Sequence, residues 1–213
     1  EREAAQDVVL SLDPAKTLAS SEPLRIGTSS TRRRAFLSHF YPQHTAVEMR
    51  GNLQTRLEKL KNGDCDAMLL AYAGVHRMEM ESYITQHLSL DQFVPAVGQG
   101  SVAIQCAVSL DASIKALVRK ACNHPATEAA LLAERHLLAH LEGGCSVPVY
   151  GHAVVKDDQL ALHAGVLSLD GVENIYHSAA GLDPSILGKE VAMELIHLGA
   201  HQLLRKIRQQ LGS

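Results

Sequence analysis

The sequence predicts an α/β lobe followed by a small α+β domain, and two patterns indicate this architecture. Strand-like and helix-like segments alternate through residues 24–70, an order typical of a parallel sheet with helices packed on it. Residues 147–179 instead contain three strand-like runs joined by short turns, and helical sequence follows them. Hairpin-linked strands before helices favour a three-stranded antiparallel sheet with helices on one face.

The α/β lobe has a short predicted strand at residues 24–28, followed by Ser30 among polar residues that favour a helix N-cap. Residues 45–49 are again strand-like, and Asn52 is placed to cap a second helix with leucines spaced along one face. The apolar run at residues 66–70 is typical of a strand buried on both faces of a parallel sheet. Ligands bind such sheets beyond the carboxyl ends of the strands.

The second half begins after a crossing rich in glycine and proline at residues 95–100, which predicts a hinge. Residues 101–108 alternate as a strand, and residues 111–121 follow as a helix. Pro125 suits the first turn of a long helix that ends at Leu141. The last predicted elements are strands at residues 147–155, 159–167 and 174–179, and helices from Asp183 onward. The predicted domains are residues 1–100, a connecting segment at 101–121, and residues 122–213.

The composition excludes several classes of function. The 213 residues are 46% hydrophobic with a net charge of −3, which is ordinary for a soluble globular protein. No apolar run is long enough to span a bilayer, and the charge and the few aromatic residues argue against nucleic-acid binding. The cysteines are Cys65, Cys106, Cys122 and Cys145. They show no Cys-x-x-Cys spacing, so we expect a reduced, cytoplasmic protein without a zinc site.

Arginines follow each strand of the predicted α/β sheet, at the edge where ligands are expected to bind. They are Arg32 and Arg33 after the first strand, Arg50 and Arg56 after the second, and Arg77 after the third. Cations in the first turn of a helix oppose its macrodipole, so Arg32 and Arg33 are unfavourably placed unless an anion pairs with them. Any one of the five is more simply a solvated surface residue. Together they predict a site for a phosphate or a multi-carboxylate ligand.

Cys145 follows two glycines in a loop between the long helix and the next strand. Glycine removes side-chain bulk and permits unusual backbone conformations, so a large group could approach this thiol closely. A free cysteine is more often a small core residue. The loop alone does not decide between these two alternatives.

Two other patterns are weaker. Gly98-Gln99-Gly100-Ser101-Val102-Ala103 fits a dinucleotide-binding spacing, but it leads into a predicted strand instead of opening a helix, so the required context fails. His136 and His140 are four residues apart on a helix, with no third ligand at a recognisable spacing. We therefore predict neither a dinucleotide site nor a metal site.

Five motifs in the same order resemble the porphobilinogen deaminase family, also called hydroxymethylbilane synthase. They are Gly27-Thr28-Ser29-Ser30-Thr31-Arg32-Arg33, Arg50-Gly51-Asn52-Leu53-Gln54-Thr55-Arg56-Leu57, Pro95-Ala96-Val97-Gly98-Gln99-Gly100, Ala133-Glu134-Arg135 and Leu141-Glu142-Gly143-Gly144-Cys145-Ser146-Val147-Pro148. The family condenses four porphobilinogen molecules head to tail, with release of ammonia, into the linear tetrapyrrole hydroxymethylbilane. Its first two domains are similar to two-lobed solute-binding proteins, so the resemblance implies a periplasmic-binding-protein-like α/β lobe.

The resemblance also implies a cofactor and a set of site residues. The family's primer is a dipyrromethane held by a thioether, which the motif places on Cys145. Each pyrrole has an acetate and a propionate, and guanidinium forks suit such carboxylates. The resemblance assigns carboxylate binding to Arg32, Arg33, Arg50, Arg56 and Arg77, with supporting contacts from Thr28, Ser30, Leu70, Ala71 and Gln99. Porphobilinogen and polypyrrole intermediates are the implied partners, with no metal, nucleic acid or membrane.

The chain departs from the family at its start, because members begin with a further segment of about 100 residues, one domain's worth, that contains the catalytic aspartate. No acidic residue here matches that motif, so we expect no catalytic residue in this chain, no activity of the chain alone and an unmodified Cys145. Residues 101–121 would be the part that returns to the first domain. There we expect exposed apolar surface, self-association or poor order, whereas the complete enzyme would be monomeric.

Other functions stay open at this point. The α/β lobe could be a non-catalytic module that binds a polycarboxylate without reacting, or the chain could be a regulatory or structural remnant. A pure binding module has no use for an uncrowded thiol, so Cys145 discriminates between an enzyme and a binding module. The expected location is cytoplasmic, with an organellar origin not excluded.

Overall fold

The structure, a computed structural model, describes residues 1–144 and 146–212. Its first lobe is built on a five-stranded sheet in the order β3-β2-β4-β1-β5. The strands are β1 (Asp7–Leu10), β2 (Arg25–Gly27), β3 (Thr45–Val47), β4 (Ala67–Ala71) and β5 (Ile84–His87). The helices are α1 (Thr31–Phe40), α2 (Leu53–Lys61) and α3 (Tyr72–Arg77), with a 3-10 turn at Glu81–Tyr83.

The sheet is mixed. Strands β2, β3 and β4 are parallel, as the alternating sequence predicts. Strand β1 lies between β4 and β5 and runs antiparallel to both, and the alternating pattern predicts neither β1 nor β5. All four residues of β1 are buried because the sheet continues on both sides of it and both faces are covered.

Alternate residues of the sheet pack into two cores, one on each face. Val9 of β1 contributes to the core that includes α1, whereas Val8 contributes to the core that includes α2. The first of these cores also contains Tyr150 from the second domain. The rings of Phe36 and Tyr150 lie 5.0 Å apart, so the lobe and the second domain share continuous apolar packing.

The second domain confirms the predicted α+β architecture. Strands β6 (Val149–Lys156), β7 (Gln159–Leu167) and β8 (Asn174–Gly181) form an antiparallel sheet in the order β6-β7-β8. One face is covered by α5 (Pro125–His140), α6 (Pro184–His197) and α7 (Ala200–Leu211). Leu137, Val191 and Leu204 from these three helices are fully buried in the core against the sheet.

The predicted helix starts are confirmed by their caps. The side chains of Ser30, Asn52 and Asp183 each accept a hydrogen bond from an amide in the first helical turn, which satisfies a donor that the helix itself leaves unpaired. Pro125 occupies the first position of α5. None of the helices in residues 1–144 and 146–212 is long and apolar enough to cross a membrane.

The predicted strand at residues 101–108 is wrong. A strand needs a neighbouring strand to complete its hydrogen bonds, and no strand of the described chain pairs with this segment. Val102 is 74% exposed and Val108 is 97% exposed. The helix that follows, α4 (Ala112–Cys122), forms as predicted after its cap Asp111 but buries none of its residues. The segment and α4 therefore present apolar side chains to solvent.

Candidate functional site

The loop between β2 and α1 brings Thr28 and Ser30 to the carboxyl edge of the sheet. Thr28 is buried, and its Oγ1 accepts a hydrogen bond from Ser30 N at 3.3 Å. A Cβ on Gly27, the last residue of β2, would lie 2.9 Å from Met49 Cε and 3.0 Å from Cys65 Sγ, so a larger residue there would require these side chains to shift. The side chain of Ser30 accepts a hydrogen bond from Arg33 N, and this cap marks where α1 and its first arginines begin.

Arg32 and Arg33, in the first turn of α1, both pair with Asp7 of β1. Arg33 donates from Nε and Nη2 to Asp7 Oδ1 at 3.0 and 2.8 Å. Arg32 is buried, and its Nη1 lies 2.8 Å from Asp7 Oδ2 while it donates to Val94 O. Asp7 is thus an anion that offsets the unfavourable position of these arginines at a helix N-terminus. Sequence reasoning missed it because the pattern did not predict β1.

Gln99, from the predicted hinge, belongs to the same network. Its Nε2 donates to Ala5 O at 2.5 Å and to Asp7 Oδ1 at 2.9 Å. Its Oε1 accepts from the Nη2 atoms of Arg32 and Arg33 at 3.3 and 3.4 Å. The amide of Gln99 therefore links the hinge to both arginines and to their counterion.

The charges of this network do not cancel. Burial raises the pKa of Asp7 and is the largest single influence, but Arg32 and Arg33 together outweigh it and lower that pKa to about 2. Burial lowers the pKa of Arg32, and the carboxylate of Asp7 opposes this change. Two guanidiniums thus share one carboxylate at neutral pH. In addition, Arg32 Nε is buried without a hydrogen-bond partner among the described residues, so it is a donor for an incoming acceptor.

The loop between β3 and α2 supplies Arg50, and the first turn of α2 supplies Arg56. Arg50 is 83% exposed, and its Nε donates to Glu48 Oε1 at 2.6 Å. Arg56 is half-buried and donates from Nε to Gly51 O at 2.8 Å. Burial and then repulsion by Arg33 lower the pKa of Arg56. An anion bound between Arg33 and Arg56 would relieve this repulsion.

Two adjoining cavities, each of about 440 Å3, lie against these side chains. Arg33 and Arg56 line both of them. The first, the outer cavity, is also lined by Leu70, Ala71 and Arg77, and the second, the inner cavity, by Ser30, Arg32 and Gln99. No acidic residue lines either cavity in the part of the chain that the structure describes. Of the predicted ligand residues, Thr28 and Arg50 alone line neither cavity.

The glycine loop after α5 reaches the inner cavity. Gly144 and Val147 line its wall together with Leu138 of α5. A Cβ on Gly143 would lie 2.7 Å from Leu138 Cδ1, whereas a Cβ on Gly144 would meet nothing within 4 Å. A larger residue at Gly143 would therefore require Leu138 to shift, whereas Gly144 leaves open space. Cys145 itself lies outside the described residues, so its predicted role stays a prediction.

Glu134 of α5 connects three parts of the molecule. It is fully buried; Oε1 accepts from Arg2 Nη1 at 2.6 Å and from Ala153 N at 2.8 Å. Its Oε2 accepts from Gly98 N at 2.7 Å and from Arg2 Nη2 at 3.3 Å. The carboxylate thus joins the N-terminal segment, the hinge and strand β6. In the sequence, Glu134 could have been identified as a charged residue next to Ala133 on the face of the helix that is predicted to be buried.

The chemistry available at this site is anion binding. Guanidinium forks and the amides at the N-termini of α1 and α2 suit several carboxylates at once. Within residues 1–144 and 146–212, no group of three His, Cys, Asp or Glu side chains could bind a metal ion. His140 Nδ1 instead pairs with His136 O on its own helix at 2.7 Å.

Two family models match the sequence. The model described as "Porphobilinogen deaminase, dipyromethane cofactor binding domain" matches residues 1–115, and the one described as "Porphobilinogen deaminase, C-terminal domain" matches residues 128–197. Together they cover both sheets and the glycine loop.

Curated relatives have the name porphobilinogen deaminase. The protein of Cytophaga hutchinsonii is 49% identical over 216 residues, which cover 100% of this chain and 69% of the relative. That of Desulfosudis oleivorans is 44% identical over 213 residues, with coverage of 99% and 69%. That of Carboxydothermus hydrogenoformans is 41% identical over 211 residues, with coverage of 98% and 67%.

Proposed function

Because the chain belongs to the porphobilinogen deaminase family, whose members are transferases, we propose that it binds the polypyrrole chain in hydroxymethylbilane synthesis. One observation supports this most strongly: Arg32, Arg33 and Arg56 share a cavity with the glycine loop that precedes Cys145. The described lining of that cavity has several guanidiniums and no carboxylate. Such a lining suits a ligand with several carboxylates, which the acetate and propionate groups of a polypyrrole provide.

We infer that Cys145 holds the family's dipyrromethane cofactor through a thioether. The bound cofactor supplies the pyrrole end to which porphobilinogen units are added, four in all, with loss of ammonia at each addition. The described lining of the inner cavity fits this group. Arg32 Nε is a buried donor without a partner among the described residues, and Gly144 leaves open space on the cavity wall.

The two cavities offer different groups to a bound polypyrrole. Arg33 and Arg56 line both, so a carboxylate on either side can pair with them. Arg77 adds a further cation on the outer side, and Ser30 and Gln99 add hydrogen-bonding groups on the inner side. Successive pyrroles could therefore occupy successive cavities. Thr28 contributes through its hydrogen bond with Ser30, and Arg50 is exposed and lines neither cavity.

We propose that the chain alone binds polypyrroles without condensing porphobilinogen. Loss of ammonia requires a group that protonates the departing amine, and the described linings of both cavities contain no acidic residue. The same observation favours the second candidate function, a non-catalytic polycarboxylate-binding module. Attachment of a dipyrromethane at Cys145 separates the two functions.

The domain boundaries that we propose are residues 1–100, 101–121 and 122–213, with a periplasmic-binding-protein-like first lobe. In support, none of the described cores contains a residue of the segment 101–121, and α4 buries none of its residues. We propose that Val102, Ile104 and Leu117, which are exposed in this segment, promote self-association. Sedimentation velocity that shows a monomer at all accessible concentrations would contradict this.

Arg56→Gln is expected to weaken binding of a dipyrromethane tetracarboxylate by about 1–3 kcal/mol, a typical loss for a hydrogen bond to a charged group. This corresponds to about a 5- to 150-fold rise in Kd. Isothermal titration of the free dipyrromethane measures the change. Arg34→Gln is the matched control, because Arg34 lies on α1 near Glu48 and lines neither cavity. Equal affinity in the wild type and Arg56→Gln would remove the proposed binding site.

The role of Cys145 is expected to appear in intact-protein mass spectra. An adduct of dipyrromethane mass, where one is found, should be absent from Cys145→Ser. The chain alone is expected to release no ammonia from porphobilinogen. An adduct that persists in Cys145→Ser would contradict the attachment, and ammonia release by the chain alone would contradict the proposal that it only binds.

A further inference from the structure

We propose that Arg208, on the C-terminal helix α7, positions the loop that leads to Cys145. Arg208 Nη2 donates a hydrogen bond to the main-chain oxygen of Glu142. Glu142 lies two residues before Gly144, which lines the inner cavity. A side chain from the end of the sequence thus contacts the backbone of the loop beside the candidate site.

The helix that holds Arg208 is firmly anchored. Leu203, Leu204 and Ile207 of α7 are buried in the core of the second domain. Gly212 ends the helix in the left-handed region, and its amide bonds back to Arg208 O. Because the backbone of α7 is fixed in this way, the packing of the domain core sets the position from which Arg208 contacts the loop.

The loop needs such support because its backbone is strained where it leaves α5. Glu142 has φ of +50°, a region that side chains other than glycine and asparagine seldom adopt. On one side the turn is held by Gly143 N, which donates to Leu138 O at 3.1 Å. On the other side the guanidinium of Arg208 fixes the carbonyl of Glu142. The two contacts together set the direction in which the chain continues toward Gly144.

Arg208 is therefore a positioning residue, since it contacts the loop and lines neither cavity. The functional part of this inference rests on the proposed function, in which Cys145 holds the cofactor. If Arg208 fixes the loop, its removal should loosen the amides of Glu142 and Gly143 first, and then change how Cys145 reacts. A residue that only stabilised the fold would change global stability without this local effect.

Hydrogen exchange tests the structural part on the full chain. In Arg208→Gln, protection of the Glu142 and Gly143 amides is expected to fall about tenfold, the change that corresponds to loss of one hydrogen bond from a charged donor. Arg208→Lys should restore part of the protection, because lysine can still donate to a carbonyl. Arg205→Gln, an exposed site on the same helix, should match the wild type. Equal protection in Arg208→Gln and the wild type would overturn the proposal.

Alkylation of Cys145 by iodoacetamide, in chain whose intact mass shows no dipyrromethane adduct and whose thiol is therefore free, followed by peptide mass spectrometry, tests the functional part. We expect the rate to rise several-fold in Arg208→Gln, with the exposed Cys122 unchanged as an internal comparison. An unchanged rate at Cys145 would overturn the positioning role even if exchange changed. Titration of the wild type with free dipyrromethane tests the proposed function separately. If the wild type did not bind dipyrromethane, that function would be refuted, and hydrogen exchange would still decide whether Arg208 positions the loop.

Discussion

Asp7→Asn is expected to lower the free energy of unfolding by about 3–5 kcal/mol at neutral pH, the usual cost of removing one partner from a buried ion pair. Arg32 and Arg33 would remain next to each other without their counterion, and Arg32 is only 4% exposed. The asparagine amide cannot substitute, because Asp7 Oδ1 accepts three hydrogen bonds and Arg32 Nη1 lies beside Oδ2. Whichever way the amide turns, an N–H group meets a donor.

The same variant should change the acid sensitivity of the protein. The pKa of Asp7 is about 2 in the folded protein and 3.8 ordinarily, so the folded state favours the charged form. The interactions of the charged carboxylate therefore stabilise the folded state above pH 4, and this stabilisation is lost as the pH falls from 4 toward 2. The shift corresponds to about 2 kcal/mol. Asn does not titrate, so the free energy of unfolding of Asp7→Asn should not fall by this amount between pH 4 and pH 2.

Urea unfolding between pH 7 and pH 2, followed by circular dichroism, measures both effects. Asp64→Asn is the matched control, since Asp64 is an exposed carboxylate near the start of β4. It should unfold within about 0.5 kcal/mol of the wild type. If Asp7→Asn were as stable as this control at pH 7, Asp7 would not be the main counterion of the arginine pair.

The sequence predicted those parts of the fold whose signals are local. Caps at Ser30, Asn52 and Asp183 and the hairpins of the second domain depend on neighbouring residues, and the structure confirms them. Strand β1 is four residues long, and its place in the sheet depends on pairing with β4, about 60 residues later. Residues 101–108 are the opposite case, a strand that was predicted and does not form. Their alternating pattern predicts a strand, but pairing requires a partner that the described chain does not provide.

In the candidate site too, the sequence predicted the positions of residues better than their contacts with distant residues. The five arginines were predicted from the rule that ligands bind beyond the carboxyl ends of parallel strands, and the other five ligand residues were implied only by the family resemblance. Eight of the ten line the two cavities. What the sequence could not give is which arginines are already paired. Arg32 and Arg33 share Asp7, and Arg50 pairs with Glu48, whereas Arg56 contacts a main-chain oxygen. Arg56 is therefore the more informative residue to substitute.

Glu134→Gln is expected to lower the free energy of unfolding by about 3–5 kcal/mol, because it neutralises a fully buried carboxylate. Both oxygens of Glu134 accept from donors only, two from Arg2 and one each from Gly98 N and Ala153 N. A glutamine amide must turn two N–H bonds toward one of these pairs of donors. The charge of Arg2 would then be left almost buried without an anion.

Thermal and urea unfolding measure this loss, with Glu128→Gln as the control on the same helix. Glu128 pairs with Arg119, an exposed residue, so its substitution should cost no more than about 1 kcal/mol. Hydrogen exchange should also show faster exchange at the amides of Gly98 and Ala153 in Glu134→Gln. Slow exchange at both amides would contradict a role for Glu134 in joining the hinge to β6.

A double-mutant cycle separates the ion pair from the rest of the network. Arg2→Met and Glu134→Gln should each be strongly destabilising, because each leaves a buried group without its partner. The double variant should cost clearly less than the sum, since it leaves neither charge behind. The remaining cost would belong to the amides of Gly98 and Ala153, which bind Glu134 whether or not Arg2 is present. Strict additivity would instead mean that Arg2 and Glu134 stabilise the fold independently, and that the link between the N-terminal segment and the second domain lies in other contacts.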